Sequence, residues 1–239
     1  MSGHSKWSTI KHKKAKEDAK RGKIFTKIIR EITVAAREGG GDIGGNPRLR
    51  VVVDKAKAAN MPVDNITRAI KKGTGELEGA TYDSITYEGY GPSGIAVIVD
   101  VLTDNKKRAV AEIRHIFTKL NGNLGESGSV SWMFEHKGVI RINAKGLSED
   151  EIIEKLIDYN VEDVIIVDDV ATIICSIKDL DSVRKGVEEA SLKAESVGIE
   201  WVPKNKISLE KESDEEKVYK FLEALEDLDD VQNVYANLA

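Results

Sequence analysis

The chain is predicted to be an α+β multidomain protein: an N-terminal three-helix domain followed by two ferredoxin-like α+β domains, one inserted in the other. Three observations predict this fold class. Apolar residues recur at helical spacing in three short segments before Lys72. Residues 136–205 follow the order β-α-β-β-α-β, which is the ferredoxin-like arrangement. The segments on either side are each incomplete, but together they supply the strands and helices of a second α+β domain.

The three N-terminal helices are predicted from apolar stripes and end signals. From about Glu17, apolar residues lie three and four positions apart, which is typical of one face of a helix. The glycines that begin at Gly39 end this helix, and a glycine-rich loop follows. Asn46-Pro47 predicts an N-cap with proline at the first helical position, and Pro62 starts a third short helix. Residues 1–16 have no apolar periodicity and are interpreted as a flexible arm.

Two strands, 83–88 and 94–102, flank the sequence Gly89-Tyr-Gly-Pro-Ser-Gly94, which matches the G-x-G-x-x-G pattern of dinucleotide-binding proteins. That pattern requires a helix after the glycines, but an apolar run follows them here. The glycines are therefore interpreted as a hairpin turn, and no cofactor is expected. A capping cluster at Thr103–Asn105 starts the next helix, and a strand is predicted at 130–134.

The rest of the chain alternates between short apolar strands and amphipathic helices. The predicted strands are 139–142, 164–167, 171–177, 199–202 and 231–235, and the predicted helices are 149–159, 182–194 and 213–228. Because the last helix and strand have no sheet of their own, they are expected to complete the earlier sheet. The predicted domains are 1–76 (basic and helical), 77–135 with 206–239 (discontinuous α+β), and 136–205 (inserted, ferredoxin-like).

Positive charge is concentrated in the first third of the chain. Residues 1–72 contain 18 Lys and Arg against 7 Asp and Glu, a formal charge of +11, whereas the whole chain carries −5. Such a split predicts that the first third binds a polyanion, because lysine and arginine neutralise phosphates and release condensed counterions. The alternative interpretation is a solvated charged surface without a partner.

The candidate binding residues are basic or flat side chains. Trp7 and His12 lie among cations and are candidates for stacking on unpaired bases. A possible second anion site comprises Lys106, Lys107 and Arg108, which lie in the first turn of a helix although cations there oppose the helix dipole. The candidates for phosphate contact are Lys6, Lys11, Lys13, Lys14, Lys16, Lys20, Arg21, Lys23 and Lys27, followed by Arg48, Arg50, Lys71 and Lys72.

Catalytic and metal-binding patterns are not visible in the sequence. Four scattered histidines and the single Cys175 do not suggest a metal cluster, and the cysteine is expected to be buried in a strand. Two acidic runs begin helices and suit the helix dipole, but Asp227–Asp230 lies near a helix C-terminus, where no local reason for it is visible. Without an apolar span or targeting signal, a cytoplasmic protein is expected, with no membrane partner and no small-molecule substrate.

Several contiguous segments resemble the YebC-like proteins. The resemblance covers the whole chain and is densest up to about Phe134. It rests on Met1-Ser-Gly-His4-Ser-Lys-Trp7, Ile10-Lys-His-Lys-Lys14, Lys20-Arg-Gly-Lys-Ile-Phe-Thr-Lys27, Glu31-Ile-Thr-Val-Ala-Ala-Arg-Glu-Gly-Gly-Gly41, Asn46-Pro-Arg-Leu-Arg50, Ala56-Lys-Ala-Ala-Asn-Met-Pro62, Tyr87-Glu-Gly-Tyr-Gly-Pro92, Leu102-Thr-Asp-Asn105 and Gly122-Asn-Leu-Gly125.

The resemblance implies a helical N-terminal domain with two α+β domains and a role in gene expression without catalysis. Family members are described as probable DNA-binding transcriptional regulators of the cytoplasm. Mitochondrial relatives are translational activators, and other members are linked to ribosomes and to translation through proline-rich stretches, so ribosomal RNA, tRNA or the ribosome are alternative partners. The many lysines suit contact with the nucleic-acid backbone or RNA shape more than base reading. A scaffold for an acidic protein partner is a further alternative.

Overall fold

The structure, a computed structural model, describes residues 21–239. The predicted arm at residues 1–16 therefore lies outside the described part. Three helices come first: α1 (Arg21–Gly39), α2 (Pro47–Ala58) and α3 (Val63–Thr74). The predicted apolar stripe of α1 packs inward, with Ile28 and Ile32 fully buried against Leu49 of α2 and Ile66 of α3. The predicted three-helix region is confirmed.

Asn46 fixes the connection between α1 and α2. Its side-chain oxygen accepts the backbone N–H of Leu49 at 3.0 Å, as expected of an N-cap. Its amide nitrogen donates to the carbonyl of Ala35 near the end of α1 (2.9 Å) and to that of Gly40 just after the helix (2.8 Å). One buried side chain thus satisfies backbone groups at the end of one helix and the start of the next.

The remaining elements form two four-stranded antiparallel sheets with helices packed on them. In chain order they are β1 (Asp83–Tyr90), β2 (Ala96–Thr103), α4 (Lys106–Lys119), β3 (Asn123–Leu124), β4 (Phe134–Asn143), α5 (Glu149–Lys155), β5 (Val161–Val167), β6 (Val170–Cys175), α6 (Leu180–Glu189), β7 (Ala194–Pro203), α7 (Glu212–Glu226) and β8 (Val231–Ala236).

The first sheet has the order β3-β1-β2-β8 and is built from both ends of this region. Strand β8 pairs with β2 in the register Val97↔Ala236, more than 100 residues apart in sequence. Helices α4 and α7 cover the sheet and meet at Phe117 and Phe221, whose rings are 5.0 Å apart in an edge-on arrangement. The last helix and strand therefore complete the earlier sheet, as expected. The division of the chain into three domains remains a prediction.

The second sheet has the order β5-β6-β4-β7, and its elements follow the predicted β-α-β-β-α-β order. Cys175 is fully buried there, as predicted, and its burial raises the pKa of the thiol to about 11. Helix α5 ends at Lys155, four residues before its predicted end. The amide of Leu156 is shared between the carbonyls of Ile152 and Ile153, which is common where a helix terminates. Ile157 consequently lies outside the helix and is 72% exposed.

The predicted strand at 130–134 is wrong. Residues Ser131–Met133 form a 3-10 turn, and Phe134 begins β4. The carboxylate of Glu88 in β1 accepts the N–H groups of Val130 (2.9 Å), Ser131 (2.7 Å) and Gly128 (2.8 Å). Those donors are therefore not available to a strand ladder. Burial alone would raise the pKa of Glu88, but the three backbone N–H groups and the side chain of Ser131 outweigh it and lower the pKa below its usual range.

We predict that replacing Gly73 with alanine destabilises the bundle. A Cβ at this position of α3 would lie 2.4 Å from the carbonyl oxygen of Thr33 and 2.7 Å from the Cβ of Ala36 in α1. The helices must separate, at a cost of about 1–3 kcal/mol. Gly22→Ala is the control, because a Cβ there meets nothing within 4 Å. Native-state hydrogen exchange of α1 and α3 amides measures the effect, and equal protection in both variants would contradict it.

We predict that Glu88→Gln removes an acid-sensitive contribution to stability. Because the folded-state pKa of Glu88 is lowered, its contribution is present above the unfolded pKa of about 4.3 and is lost as the pH falls through the folded value. The variant should be less stable than wild type by about 1–3 kcal/mol at neutral pH, and the difference should shrink below about pH 4.

Urea unfolding, followed through the fluorescence of nearby Trp132 across this pH range, checks the Glu88 prediction. The exposed Glu126 in the same loop supplies the control variant Glu126→Gln. A difference between wild type and Glu88→Gln that does not vary with pH would contradict the proposed role of the carboxylate.

Candidate nucleic-acid interface

Many of the residues predicted to bind nucleic acid lie outside the described part of the chain. This applies to the candidates Lys6, Trp7, Lys11, His12, Lys13, Lys14, Lys16 and Lys20, and to the side chain of Arg21. Their binding role remains a prediction from the sequence. The other candidates can be located on α1, α2, α3 and α4.

The α1 candidates Lys23 and Lys27 contact the end of α7. The ammonium of Lys23 donates to the carbonyl oxygen of Asp227 at 3.0 Å, and that of Lys27 donates to the carbonyl oxygen of Glu226 at 2.8 Å. The last carbonyls of a helix generally lack an intrahelical donor, and the last turn of α7 contains no basic residue. The two lysines therefore cap α7 and complement the negative end of its dipole.

Asp230, which follows α7, is the centre of a buried ionic cluster. Its side chain is 3% exposed, and its carboxylate accepts a hydrogen bond from the Thr103 hydroxyl at 2.8 Å. The guanidinium of Arg108 lies 2.8 Å away, and that of Arg30 lies 3.0 Å away. We call Arg30, Thr103, Arg108 and Asp230 the Asp230 cluster. It joins α1, β2, α4 and the start of β8 at one buried charge.

The cluster uses one of the three cations of the predicted second anion site. Arg108 also pairs with Asp104 at 2.7 Å. Its hydrogen bonds to the carboxylates of Asp230 and Asp104 raise the pKa of Arg108. Lys106 pairs with Asp83 at 3.4 Å. The backbone N–H of Arg108 is already taken by the side chain of Asn105. Lys107 is exposed and has no ion pair with any described residue. Anion binding at this site remains a prediction, and protein oxygens already occupy most of its donors.

The α2 candidates stabilise the glycine-rich loop and the end of α1. Arg48 pairs with Glu38 in the last turn of α1. The guanidinium of Arg50 donates to the carbonyls of Ile43 (3.2 Å) and Gly44 (2.6 Å). Both arginines are at least partly exposed, so these contacts do not bury their charges.

Helix α3 carries the most open cations of the described bundle. Arg68, Lys71 and Lys72 are exposed and lie three and four residues apart, so they share one side of the helix. Within residues 21–239 none of the three has an ion-pair partner. We call these three residues the α3 cationic face. Arg68 is not among the sequence-predicted candidates, although its spacing from Lys71 and Lys72 would have identified it.

Sequence reasoning also missed the Asp230 cluster. Two anomalies pointed to it: cations at the start of α4 and acidic residues after α7, each unfavourable for its own helix. The fold places them together. Among residues 21–239, no group of three or more His, Cys, Asp or Glu side chains could hold a metal ion, and no helix is both long and apolar enough to cross a bilayer.

A basic helical bundle joined to two α+β sheets is the architecture of a known protein family. The family model for the TACO1/YebC protein N-terminal domain matches residues 5–76, and the model for the TACO1/YebC second and third domain matches residues 82–238. The chain belongs to the TACO1/YebC family, and the YebC-like resemblance is confirmed.

Similar proteins share the full length of the chain. A probable transcriptional regulatory protein of Chlorobium phaeobacteroides is 54% identical over 239 residues, which cover 100% of this chain and 95% of the relative. A protein of the same description from Desulfosudis oleivorans is 54% identical over 99% of this chain and 96% of its own. The crystal structure of a conserved hypothetical protein from Aquifex aeolicus is 50% identical, covers 98% of this chain and 97% of its own, and has a TM-score of 0.90.

We predict that Asp230→Ala destabilises the protein by about 3–5 kcal/mol, because it leaves the largely buried Arg30 without its carboxylate. The neighbouring Asp229 offers a matched control. Its side chain is exposed and only its backbone carbonyl contacts Arg30, so Asp229→Ala should change stability by no more than about 0.5 kcal/mol. Chemical denaturation measures both variants, and equal losses would contradict a special role for the buried carboxylate.

Proposed function

We propose that this protein is a non-enzymatic regulator of transcription that binds DNA through its basic N-terminal third. The observation that carries the proposal is the charge of +11 on residues 1–72, which includes the α3 cationic face. Phosphate binding by such a surface is driven by counterion release and needs no sequence reading. The relatives described as probable transcriptional regulatory proteins support the choice of DNA as the target.

The proposal assigns phosphate contact to the cations that are open. These are Lys71 and Lys72 with Arg68 on α3. The lysines of residues 6–20, which lie outside the described residues, are assigned the same role from the sequence alone. Lys107 is a further exposed cation, in the first turn of α4. The two sheets, with their acidic surface, act as the body that carries the bundle and meets protein partners. We propose the cytoplasm as the location, where DNA and the transcription machinery of a bacterium are accessible.

A second candidate is an RNA-binding translation factor that acts on the ribosome. The observation that favours it is the predominance of lysine among the candidate cations, since lysine binds phosphate as a point charge without reading base edges. Shape and backbone recognition of this kind is common for folded RNA. The same binding experiment separates the two candidates when duplex DNA and a structured RNA of equal length are compared.

We predict that charge reversal of the α3 cationic face weakens binding to duplex DNA. The variant Arg68→Glu/Lys71→Glu/Lys72→Glu should bind a labelled random-sequence duplex at least about tenfold more weakly at low salt, with a shallower dependence on salt concentration. Fluorescence anisotropy over a range of salt concentrations measures both quantities.

The control reverses three exposed lysines of the second sheet, Lys178, Lys185 and Lys193, for the same change in net charge. It should affect binding much less than reversal of the α3 cationic face. Equal weakening in both variants would contradict a local site. Tight binding to structured RNA without binding to the duplex would favour the translation factor, and binding to neither would leave only the protein-scaffold alternative.

A further inference from the structure

Helices α2 and α3 are joined by a short turn with a fixed backbone. The turn comprises residues 59–62, and Asn60 within it has a left-handed conformation with a φ of 57°. Met61 is buried in the core of the bundle, and its backbone N–H donates to the carbonyl of Ala56 at 3.0 Å. Two helices joined by a turn of three or four residues are typical of a helix-turn-helix unit, whose second helix enters the major groove of DNA.

The second helix of this unit, α3, packs on the bundle through one side. Ile66 and Ala69 are buried in the core, and Gly73 lies so close to α1 that a Cβ would clash with the carbonyl oxygen of Thr33. At 100° per residue, Arg68 lies on roughly the opposite side of the helix from these positions. The α3 cationic face therefore points away from the bundle, on a helix of 12 residues that is about 18 Å long.

The three cations of this face are arranged around its centre. Viewed down the helix axis, Arg68 lies between Lys71 and Lys72, which follow about one turn later. A helix in the major groove has phosphates on both sides and base edges in front of it. Lysine binds phosphate as a point charge, whereas the planar guanidinium of arginine can donate to O6 and N7 of one guanine. The arrangement thus suits lysines that bind the two backbones and an arginine that meets the bases.

We propose that Arg68 reads guanine in the major groove of duplex DNA, while Lys71 and Lys72 bind the flanking phosphates. The inference rests on the proposed function and adds a sequence preference to it. Phosphate contacts orient a protein on DNA but carry no sequence information directly, so a preference requires at least one side chain at the base edges. Arg68 supplies that contact through two parallel N–H donors.

The guanidinium of Arg68 is available for such a contact. Most arginines of the chain already contact protein oxygens, namely Arg30, Arg37, Arg48, Arg50, Arg108, Arg141 and Arg184. Among the arginine side chains that the structure describes, only Arg68 and Arg114 have no hydrogen bond or ion pair, and both are exposed. Arg114 lies on α4, outside the helix-turn-helix unit, and therefore offers a matched control.

Two polar side chains precede Arg68 in the first half of α3. Asn65 is half-buried and Thr67 is exposed, and neither side chain forms a hydrogen bond within residues 21–239. In helix-turn-helix proteins the N-terminal residues of the second helix contact base edges. Asparagine pairs with adenine, and the threonine methyl group packs on that of thymine. These two side chains therefore lie where contacts with the bases next to the guanine are expected.

Selection from a library of random DNA duplexes tests the inference. The wild-type protein should enrich duplexes that share a short motif with at least one invariant guanine. Arg68→Lys keeps the charge but removes the planar fork, so it should bind the starting random-sequence duplex within about twofold of wild type and lose the guanine preference. Arg114→Lys makes the same exchange on α4 and should select the same motif as wild type.

Fluorescence anisotropy then measures the size of the preference. For wild type, replacing the selected G·C pair with A·T should weaken binding at least about fivefold, and 7-deazaguanine, which lacks the N7 acceptor, should also weaken it. For Arg68→Lys the same replacements should change the affinity by less than about twofold, because an ammonium cannot form the paired contact. Circular dichroism verifies that both variants remain folded.

The outcomes separate this inference from the proposed function. If the wild-type protein binds duplexes but enriches no motif, the inference is overturned while the proposed function stands. The same holds if Arg68→Lys retains the guanine preference, or if Arg114→Lys loses it to the same extent. If the wild-type protein binds no duplex at all, both the inference and the proposed function fail.

Discussion

The buried carboxylate of Asp230 is the interaction on which the arrangement of the bundle and the first sheet depends. A buried charge is tolerated only when oppositely charged or hydrogen-bonding groups surround it. Here these come from three elements, and Arg30 of α1 is far in sequence from Thr103 of β2 and Arg108 of α4. The hydrophobic cores of the bundle and of the first sheet are separate clusters. The ionic contacts therefore fix how the basic helix α1 lies against α7.

The same contacts resolve two electrostatic anomalies of the sequence. Cations in the first turn of α4 and aspartates after α7 each oppose the dipole of their own helix. In the fold the two helices lie on the same sheet, so Arg108 neutralises Asp230 while Lys23 and Lys27 supply the positive charge that the end of α7 lacks. Features that are unfavourable locally are favourable together, and the acidic body takes an active part in holding the basic bundle.

Local patterns predicted local structure well. The stripe of α1 and the N-cap at Asn46 depend on neighbouring residues, and both are found where the sequence indicated them. The strand at 130–134 failed because Glu88, some forty residues earlier, binds the amides that a strand would need. The candidate site has the same limitation, since composition counts cations but does not reveal which of them meet carbonyls or carboxylates of the folded chain.

This distinction changes what the excess charge means for binding. Among the described candidates, Lys23, Lys27, Arg48 and Arg50 already contact protein oxygens, whereas Lys71 and Lys72 have no ion-pair partner within residues 21–239. A cation that exchanges one oxygen partner for another contributes less net free energy than one that leaves water. We therefore expect the affinity and salt dependence of a complex to reflect the open cations more than the lysines that already contact protein oxygens.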